Sequence, residues 1–187
     1  MNYQMDVLVN NEKKMVCCVL PRCGSNHVRS VLKTVGWVER RRVTKESFED
    51  YTIIKIVRDP YERWVSWFYS FEWDDVPPIK NWTVADAKQW LENFRVRHHY
   101  DEHTALQSML YNFNNEYICD NTCYVRMEYV DMYFGFTNQR HPSFVQHFAR
   151  MDETPLDVLE YFKHAIPKLY KPDYIWMKNL NIWEKSS

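Results

Sequence analysis

Glycine is scarce in this sequence, whose 187 residues include only Gly24, Gly36 and Gly135. Glycine lets a backbone approach a ligand closely, so a phosphate-binding loop has few places to lie. The residues around Gly24 contain neither the second glycine nor the lysine of a G-x-x-x-x-G-K-S/T loop. This absence argues against an ordinary kinase or ATPase.

The sequence also lacks an excess of charge of either sign. Twenty-four Lys and Arg residues stand against 25 Asp and Glu residues, which leaves a net charge of −1. Nucleic-acid backbones are held by a broad positive field, and no such field exists here. We therefore expect no nucleic-acid partner, and any bound anion must be held by a local group of cations and donors.

Long hydrophobic runs are missing as well. The longest early apolar stretch, Met15 to Leu20, is too short for a signal peptide or a membrane span. We expect a cytoplasmic protein with no membrane span. With 187 residues, 45% of them hydrophobic, the chain can bury one good core, which predicts a single domain over 1–187. The oligomeric state is open.

Five cysteines, an odd number without a secretory signal, do not indicate a disulfide framework. Cys17 and Cys18 lie in an apolar run, which predicts buried thiols. Cys119 and Cys123 have a C-x3-C spacing but no second ligand pair of the kind that zinc sites use. We therefore expect no bound metal.

Two strand–loop–helix units can be recognised. The apolar run Met15–Leu20 predicts a strand, and Val28, Val31, Leu32 and Val35 recur at helical spacing before Gly36. The β-branched run Thr52–Val57 predicts a second strand. A helix is predicted after it, because Asp59 can cap the N-terminus, Pro60 suits the first helical position and Glu62 completes a capping box. The expected buried face of this helix consists of aromatic residues: Trp64, Trp67, Phe68 and Phe71.

Further elements are predicted as helices from Thr83 to Arg97 and Thr154 to Ala165, a strand from Cys123 to Met127, and a loop at Val76–Ile79. Repeated strand–loop–helix units favour an α/β fold, with helices packed on a parallel sheet.

The first segment, Pro21-Arg-Cys-Gly-Ser-Asn-His27, joins a buried strand to a helix N-terminus. Free backbone N–H groups and the helix dipole favour an anion there. The same segment contains a C-x5-R pattern, Cys23 to Arg29, the spacing that a cysteine-dependent phosphatase uses to surround phosphate. An ordinary strand-to-helix turn is a third interpretation, so this segment alone leaves the function open.

The second segment, Val57-Arg-Asp-Pro-Tyr-Glu-Arg-Trp-Val-Ser66, ends a strand on arginine and places a serine two helical turns later. Arg58, Glu62 and Ser66 are four residues apart and share one helix face. Arg58 and the Ser66 hydroxyl predict a second anion pocket, which a phosphatase does not need and which a cofactor with phosphates at both ends of an adenosine requires.

The two segments together resemble the 5′-phosphosulfate loop and the 3′-phosphate motif of the sulfotransferase superfamily. The second segment is similar, almost residue for residue, to that of the carbohydrate-type branch. The resemblance implies a P-loop NTPase-like three-layer α/β fold with a central parallel β-sheet flanked by helices. It also implies transfer of the sulfuryl group of 3′-phosphoadenosine 5′-phosphosulfate to a hydroxyl acceptor, a carbohydrate being the expected class and a lipid another, without a metal.

By that resemblance, eight residues hold the donor: Arg22, Cys23, Gly24, Ser25, Asn26, His27, Arg58 and Ser66. Arg22 occupies the position usually held by a lysine between the sulfuryl group and the leaving phosphate. Arginine keeps the charge but does not give up a proton, so stabilisation of the leaving group is expected to be electrostatic. A weaker resemblance covers Glu102-His103, Gln107 and Tyr124–Glu128.

Sulfuryl transfer requires in-line geometry and a base that takes the acceptor's proton. The candidates are His27, His98, His99, His103 and Glu128. We favour His103, because histidine titrates near neutrality and neighbouring carboxylates can orient it. A solvated polar stretch before a helix is the plainer interpretation of the same residues.

The basic run Glu39–Arg42 is a candidate surface for an anionic glycan or lipid, although most such runs are simply solvated. A nucleotide-binding protein without catalysis also fits the two anion segments.

Overall fold

A computed structural model describes residues 7–40, 48–70, 77–113, 121–136 and 151–182. Predictions that fell on Arg41, Arg42, Phe71, Val76 and Cys119 lie outside these ranges. Within the described ranges, no helix combines the length and the apolar character needed to cross a membrane.

The fold is mixed α/β, built on a five-stranded sheet in the order β3-β1-β2-β4-β5. The strands are β1 (Val7–Asn10), β2 (Met15–Val19), β3 (Val38–Arg40), β4 (Thr52–Val57) and β5 (Thr122–Arg126). β2, β4 and β5 run parallel, as the two strand–loop–helix units predicted.

Two strands that the sequence did not predict make the sheet mixed rather than parallel throughout. β1 pairs antiparallel with both β2 and β3. The turn between Asn10 and Met15 is short, and a short connection can join only antiparallel neighbours. β1 was missed because its apolar stretch, Val7–Val9, lies within a polar and charged N-terminal region.

The described helices are α1 (Ser25–Thr34), α2 (Pro60–Phe68), α3 (Val84–Arg97), α4 (Gln107–Phe113), α5 (Val130–Phe134), α6 (Leu156–Leu169) and α7 (Lys171–Asn179). Asp59 caps α2 as predicted, accepting a hydrogen bond from the Glu62 N–H at 2.9 Å. The Glu62 carboxylate does not return to the cap. It lies 3.6 Å from Arg58 Nε instead.

Helices cover both faces of the sheet. The Cys123 thiol lies 3.3 Å from the Tyr133 hydroxyl of α5. The ring of the next residue, Tyr124, packs edge-on against Trp176 of α7 at 5.5 Å. Adjacent strand residues point to opposite faces, so α5 and α7 pack on opposite sides. This explains why Ile53–Val57 of the inner strand β4 is entirely buried.

An aromatic cluster joins α2, α3 and α6 beside the sheet. The predicted stripe is buried at Trp64, Trp67 and Phe68. The Trp64 ring stacks on the Phe68 ring, with 4.8 Å between the ring centroids, and its centroid lies 5.0 Å from that of Phe162 in α6. One face of α2 is thereby anchored in apolar contacts, which sets the direction of the exposed face that carries Glu62.

We expect Phe162→Ala to lower the free energy of unfolding by about 3–5 kcal/mol, because it leaves a cavity among packed rings. Phe162 is 0% exposed. Leu156→Ala on the same helix is the control, since Leu156 is 80% exposed and surface changes usually stay within about 0.5 kcal/mol. Urea unfolding measures both, and equal losses would contradict the anchoring role of the cluster.

Candidate functional site

Three arginines lie at one edge of the sheet, where the parallel strands end. Arg22 follows β2, Arg58 follows β4, and Arg126 is the last residue of β5. The carboxyl ends of adjacent parallel strands meet at the same edge, which is where ligands bind in many α/β folds. Two of these cations pair with nearby carboxylates, Arg58 with Glu62 and Arg126 with Glu128.

The first loop, Pro21–Gly24, has an unusual backbone. Both Arg22 (φ 64°) and Gly24 (φ 72°) adopt the left-handed region, which only glycine occupies readily. Gly24 is the N-cap of α1, and no side chain caps the helix there. The first intrahelical bond runs from the Val28 N–H to the Gly24 carbonyl.

The N–H groups of Ser25, Asn26 and His27 therefore precede the helical ladder of α1, as the first N–H groups of any helix do. Such groups favour an anion. Gly24 also has a packing reason, because a Cβ there would lie 3.0 Å from Met127 Cε.

The two segments predicted to hold anions are in direct contact. Arg58 Nη1 donates a hydrogen bond to the Arg22 carbonyl at 3.1 Å. Burial lowers the pKa of the Arg22 guanidinium, and the nearby charges of Arg63 and Arg58 lower it further while Asp101 opposes them. An anion bound between these cations would relieve their mutual repulsion.

Ser66 is half-buried and lies within α2, Pro60–Phe68. Among the described residues, its hydroxyl makes no hydrogen bond. Arg58 precedes the Asp59 cap and lies outside α2, so the shared helix face that the spacing predicts is not formed. The Arg58 side chain nevertheless pairs with Glu62 on the first turn of α2, at 3.6 Å.

The C-x5-R pattern does not form a phosphatase-like loop. Cys23 is 0% exposed, its thiol lies 3.3 Å from Gln107 Oε1, and burial raises its pKa. A phosphatase nucleophile requires a lowered pKa. Arg29 turns to β3, where its Nε lies 3.2 Å from Glu39. Glu39, the first residue of the basic run Glu39–Arg42, thus forms an ion pair with Arg29 of α1.

His103 lies in a tight turn, and a carboxylate orients its ring. The turn, Asp101–Ala105, is closed by bonds from the Thr104 and Ala105 N–H groups to the Asp101 carbonyl at 3.0 and 2.7 Å. Asp101 Oδ1 accepts hydrogen bonds from the His103 N–H at 2.9 Å and from the ring Nδ1 at 2.8 Å. With Nδ1 donating, the other ring nitrogen, Nε2, can take a proton.

The remaining candidate bases have other partners. His27 Nε2 lies 2.7 Å from Asp131 Oδ1 of α5. His98 Nδ1 lies 3.0 Å from the Arg95 carbonyl, and burial lowers the pKa of His98. Glu128 forms an ion pair with Arg126, as expected of a structural carboxylate near a strand end. His99 contacts the Tyr100 ring at 3.9 Å.

Sequence reasoning missed Arg63, which is 2% exposed and has a fully buried guanidinium. Its Nε donates to the Pro21 carbonyl at 3.0 Å, while Nη1 and Nη2 donate to the carbonyls of Ala105 and Glu102 at 2.6 and 2.7 Å. The sequence did contain a signal for its burial, because Arg63 lies four residues before Trp67 and therefore on the same, buried face of α2.

Gln107 connects the backbone of Arg58 to the N-terminus of α4. The resemblance covers this residue but assigns it no role. Its side-chain amide bonds both backbone groups of Arg58, accepting from the N–H at 3.0 Å and donating to the carbonyl at 2.7 Å. Asp173 of α7 accepts from the N–H groups of Gln107 and Ser108, which caps α4. Burial raises the pKa of Asp173, while these hydrogen bonds oppose the change.

Within the described residues, no three His, Cys, Asp or Glu side chains are grouped so as to hold a metal ion. Comparison with models of protein families, with curated proteins and with solved structures found no match. The functional interpretation therefore depends on the geometry of the strand ends and on the resemblance of the two segments.

The bond between Asp101 and His103 predicts a pH dependence. Hydrogen bonding to the His103 side chain, the largest cause, lowers the pKa of Asp101 in the folded protein. A lowered carboxyl pKa stabilises the fold above its unfolded pKa of about 3.9, and this stabilisation is lost as the pH falls through the folded value.

We expect Asp101→Asn to lower the free energy of unfolding at pH 6, with a difference from the unmodified protein that shrinks as the pH approaches 3. Urea unfolding across this range measures the difference. Asp157→Asn removes an exposed carboxylate on the first turn of α6 and is the control for the loss of one negative charge. A difference for Asp101→Asn that stays constant from pH 6 to pH 3 would contradict the assigned hydrogen bond.

Proposed function

We propose that this chain is a sulfotransferase that uses 3′-phosphoadenosine 5′-phosphosulfate. The observation that carries the proposal is the contact between Arg58 and Arg22, which joins two anion-binding segments beside the N-terminus of α1. One segment is enough for a phosphatase or a simple phosphate site. Two joined segments fit a nucleotide that carries anionic groups at both its 5′ and 3′ ends.

In this proposal the 5′ end of the donor lies on the first loop. The backbone N–H groups of Ser25, Asn26 and His27 bind its oxygens, with Arg22 beside the bridging oxygen. Arg58 and Ser66 bind the 3′-phosphate. A P-loop-like arrangement of β2–α1 and β4–α2 is part of the proposal, supported by the parallel pairing of these strands.

The proposed reaction gives each of these groups a role. The acceptor hydroxyl oxygen attacks sulfur in line with the leaving oxygen, and the bond between sulfur and the 5′-phosphate oxygen breaks as the new bond forms. The acceptor's proton goes to His103 Nε2 while Asp101 holds Nδ1. The electron pair of the broken bond leaves on 3′,5′-adenosine bisphosphate, whose charge Arg22 stabilises electrostatically.

The acceptor is proposed to be a hydroxyl-bearing molecule, with glycans the first class to examine and lipids the second. The phosphatase alternative is disfavoured by two observations, the buried Cys23 thiol and the pairing of Arg29 with Glu39. A nucleotide-binding protein without catalysis shares the same binding groups, and only a turnover measurement separates it from an enzyme.

We expect calorimetry to detect binding of 3′,5′-adenosine bisphosphate, and Arg58→Ala to weaken it at least about tenfold, because one charge-assisted phosphate contact contributes about 1.5–3 kcal/mol. Ser66→Ala should weaken binding less. Arg95→Ala is the matched control, since Arg95 lies on the exposed face of α3 and pairs with Glu92 at 3.3 Å. Absence of binding to the unmodified protein would contradict the proposal.

We expect His103→Asn to reduce sulfuryl transfer at least about 100-fold, as removal of a general base does, while nucleotide affinity stays the same. Asparagine can still donate to Asp101 but cannot take a proton. Transfer of labelled sulfate from the donor to a panel of glycans and lipids measures turnover. His164→Asn, on the exposed side of α6, is the control. Unchanged turnover in His103→Asn would move the role to Glu128 or His27.

A further inference from the structure

The guanidinium of Arg63 lies between two segments that are far apart in the sequence. On one side it donates to the carbonyl of Pro21, the residue before Arg22. On the other side it donates to Glu102 and Ala105, which flank His103 and Thr104. Each of its three nitrogens has a backbone carbonyl as acceptor.

This arrangement restrains the first loop and the Asp101–Ala105 turn together. A buried cation whose donors lack acceptors is strongly unfavourable, so the carbonyls on both sides cannot move away independently. Arg63 itself is held by α2, where Trp64 packs in the aromatic cluster. The position of His103 relative to Arg22 is therefore set through one side chain that belongs to neither segment.

We propose that Arg63 is a positioning residue that couples the first loop to the turn carrying His103, so that occupation of the loop by an anion also orders the base. The role in turnover rests on the proposed function, whereas the coupling of the two segments does not. The charges of the two segments also interact. The Asp101 carboxylate raises the pKa of Arg22, and the charge of Arg63 lowers the pKa of Asp101.

The planar shape of the guanidinium matters to this role. Arginine presents its donors in a rigid fork, whereas lysine carries a compact ammonium on a flexible stem. Arg63→Lys retains the positive charge inside the protein but cannot reach acceptors on both segments in the same geometry. This substitution therefore separates the coupling from the mere presence of a charge.

The first experiment is amide hydrogen exchange on Arg63→Lys without ligand. We expect the amides of Cys23, in the first loop, and of Thr104 and Ala105, in the turn, to exchange faster by similar factors. The amide of Leu91, within α3, should not change. Arg95→Lys is the matched control and should leave all four amides as they are. Faster exchange in only one of the two segments, or in neither, would overturn the proposal.

The second experiment uses the unmodified protein, so it decides the matter even if Arg63→Lys does not fold. Saturating 3′,5′-adenosine bisphosphate should slow exchange of Thr104 and Ala105 by about fivefold or more, the lower end of typical coupling between sites. Nucleotide binding that leaves these two amides unchanged would overturn the coupling.

Where Arg63→Lys folds, it should bind the nucleotide within about fivefold of the normal affinity, the low end of a typical coupling energy, and should lose the ligand-dependent protection of Thr104 and Ala105. A purely structural arginine would not separate binding from protection in this way. If calorimetry finds no nucleotide binding to the unmodified protein, the proposed function fails, and the ligand-free exchange of Arg63→Lys still decides whether the two segments are coupled.

Discussion

A guanidinium loses its hydration when it is buried, and Arg63 regains hydrogen bonds only by donating to carbonyls of Pro21, Glu102 and Ala105. The rest of the strand-end region depends on this constraint. The first loop and the turn that carries His103 must both stay within reach of one side chain, and the aromatic cluster holds that side chain in place. One buried charge is thus hydrogen-bonded to two polar segments at once.

A second set of contacts fixes the other arginine segment. The Gln107 amide pairs with both backbone groups of Arg58, much as a neighbouring strand would. Asp173 holds the N-terminal N–H groups of α4 and so holds Gln107 in place. Buried backbone groups must be paired. The Gln107 amide, held by the Asp173 carboxylate, pairs the backbone groups of Arg58, the residue that follows β4. Both backbone groups of Arg58 are therefore paired at the point where its side chain donates to the Arg22 carbonyl.

Local patterns predicted the elements that carry the site, and they failed where a strand is short. Thr52–Val57 and the Asp59 cap agree with the structure, because a β-branched run and a capping residue act through neighbours in the chain. β1 and β3 were missed because runs as short as Val38–Arg40 have little periodicity of their own. They are strands because β1 forms a hairpin with β2 and then offers an edge to β3.

The sequence alone determined the two segments, their order and the chemical groups they present, since strand, cap and helix signals depend on adjacent residues. Only the tertiary structure decided which groups meet. It buried Cys23, turned Arg29 toward Glu39 and directed Arg63 inward. Contacts such as that between Arg63 and Ala105 join residues 42 positions apart. Their geometry comes from packing and from the cost of burying unpaired charge, which no local pattern contains.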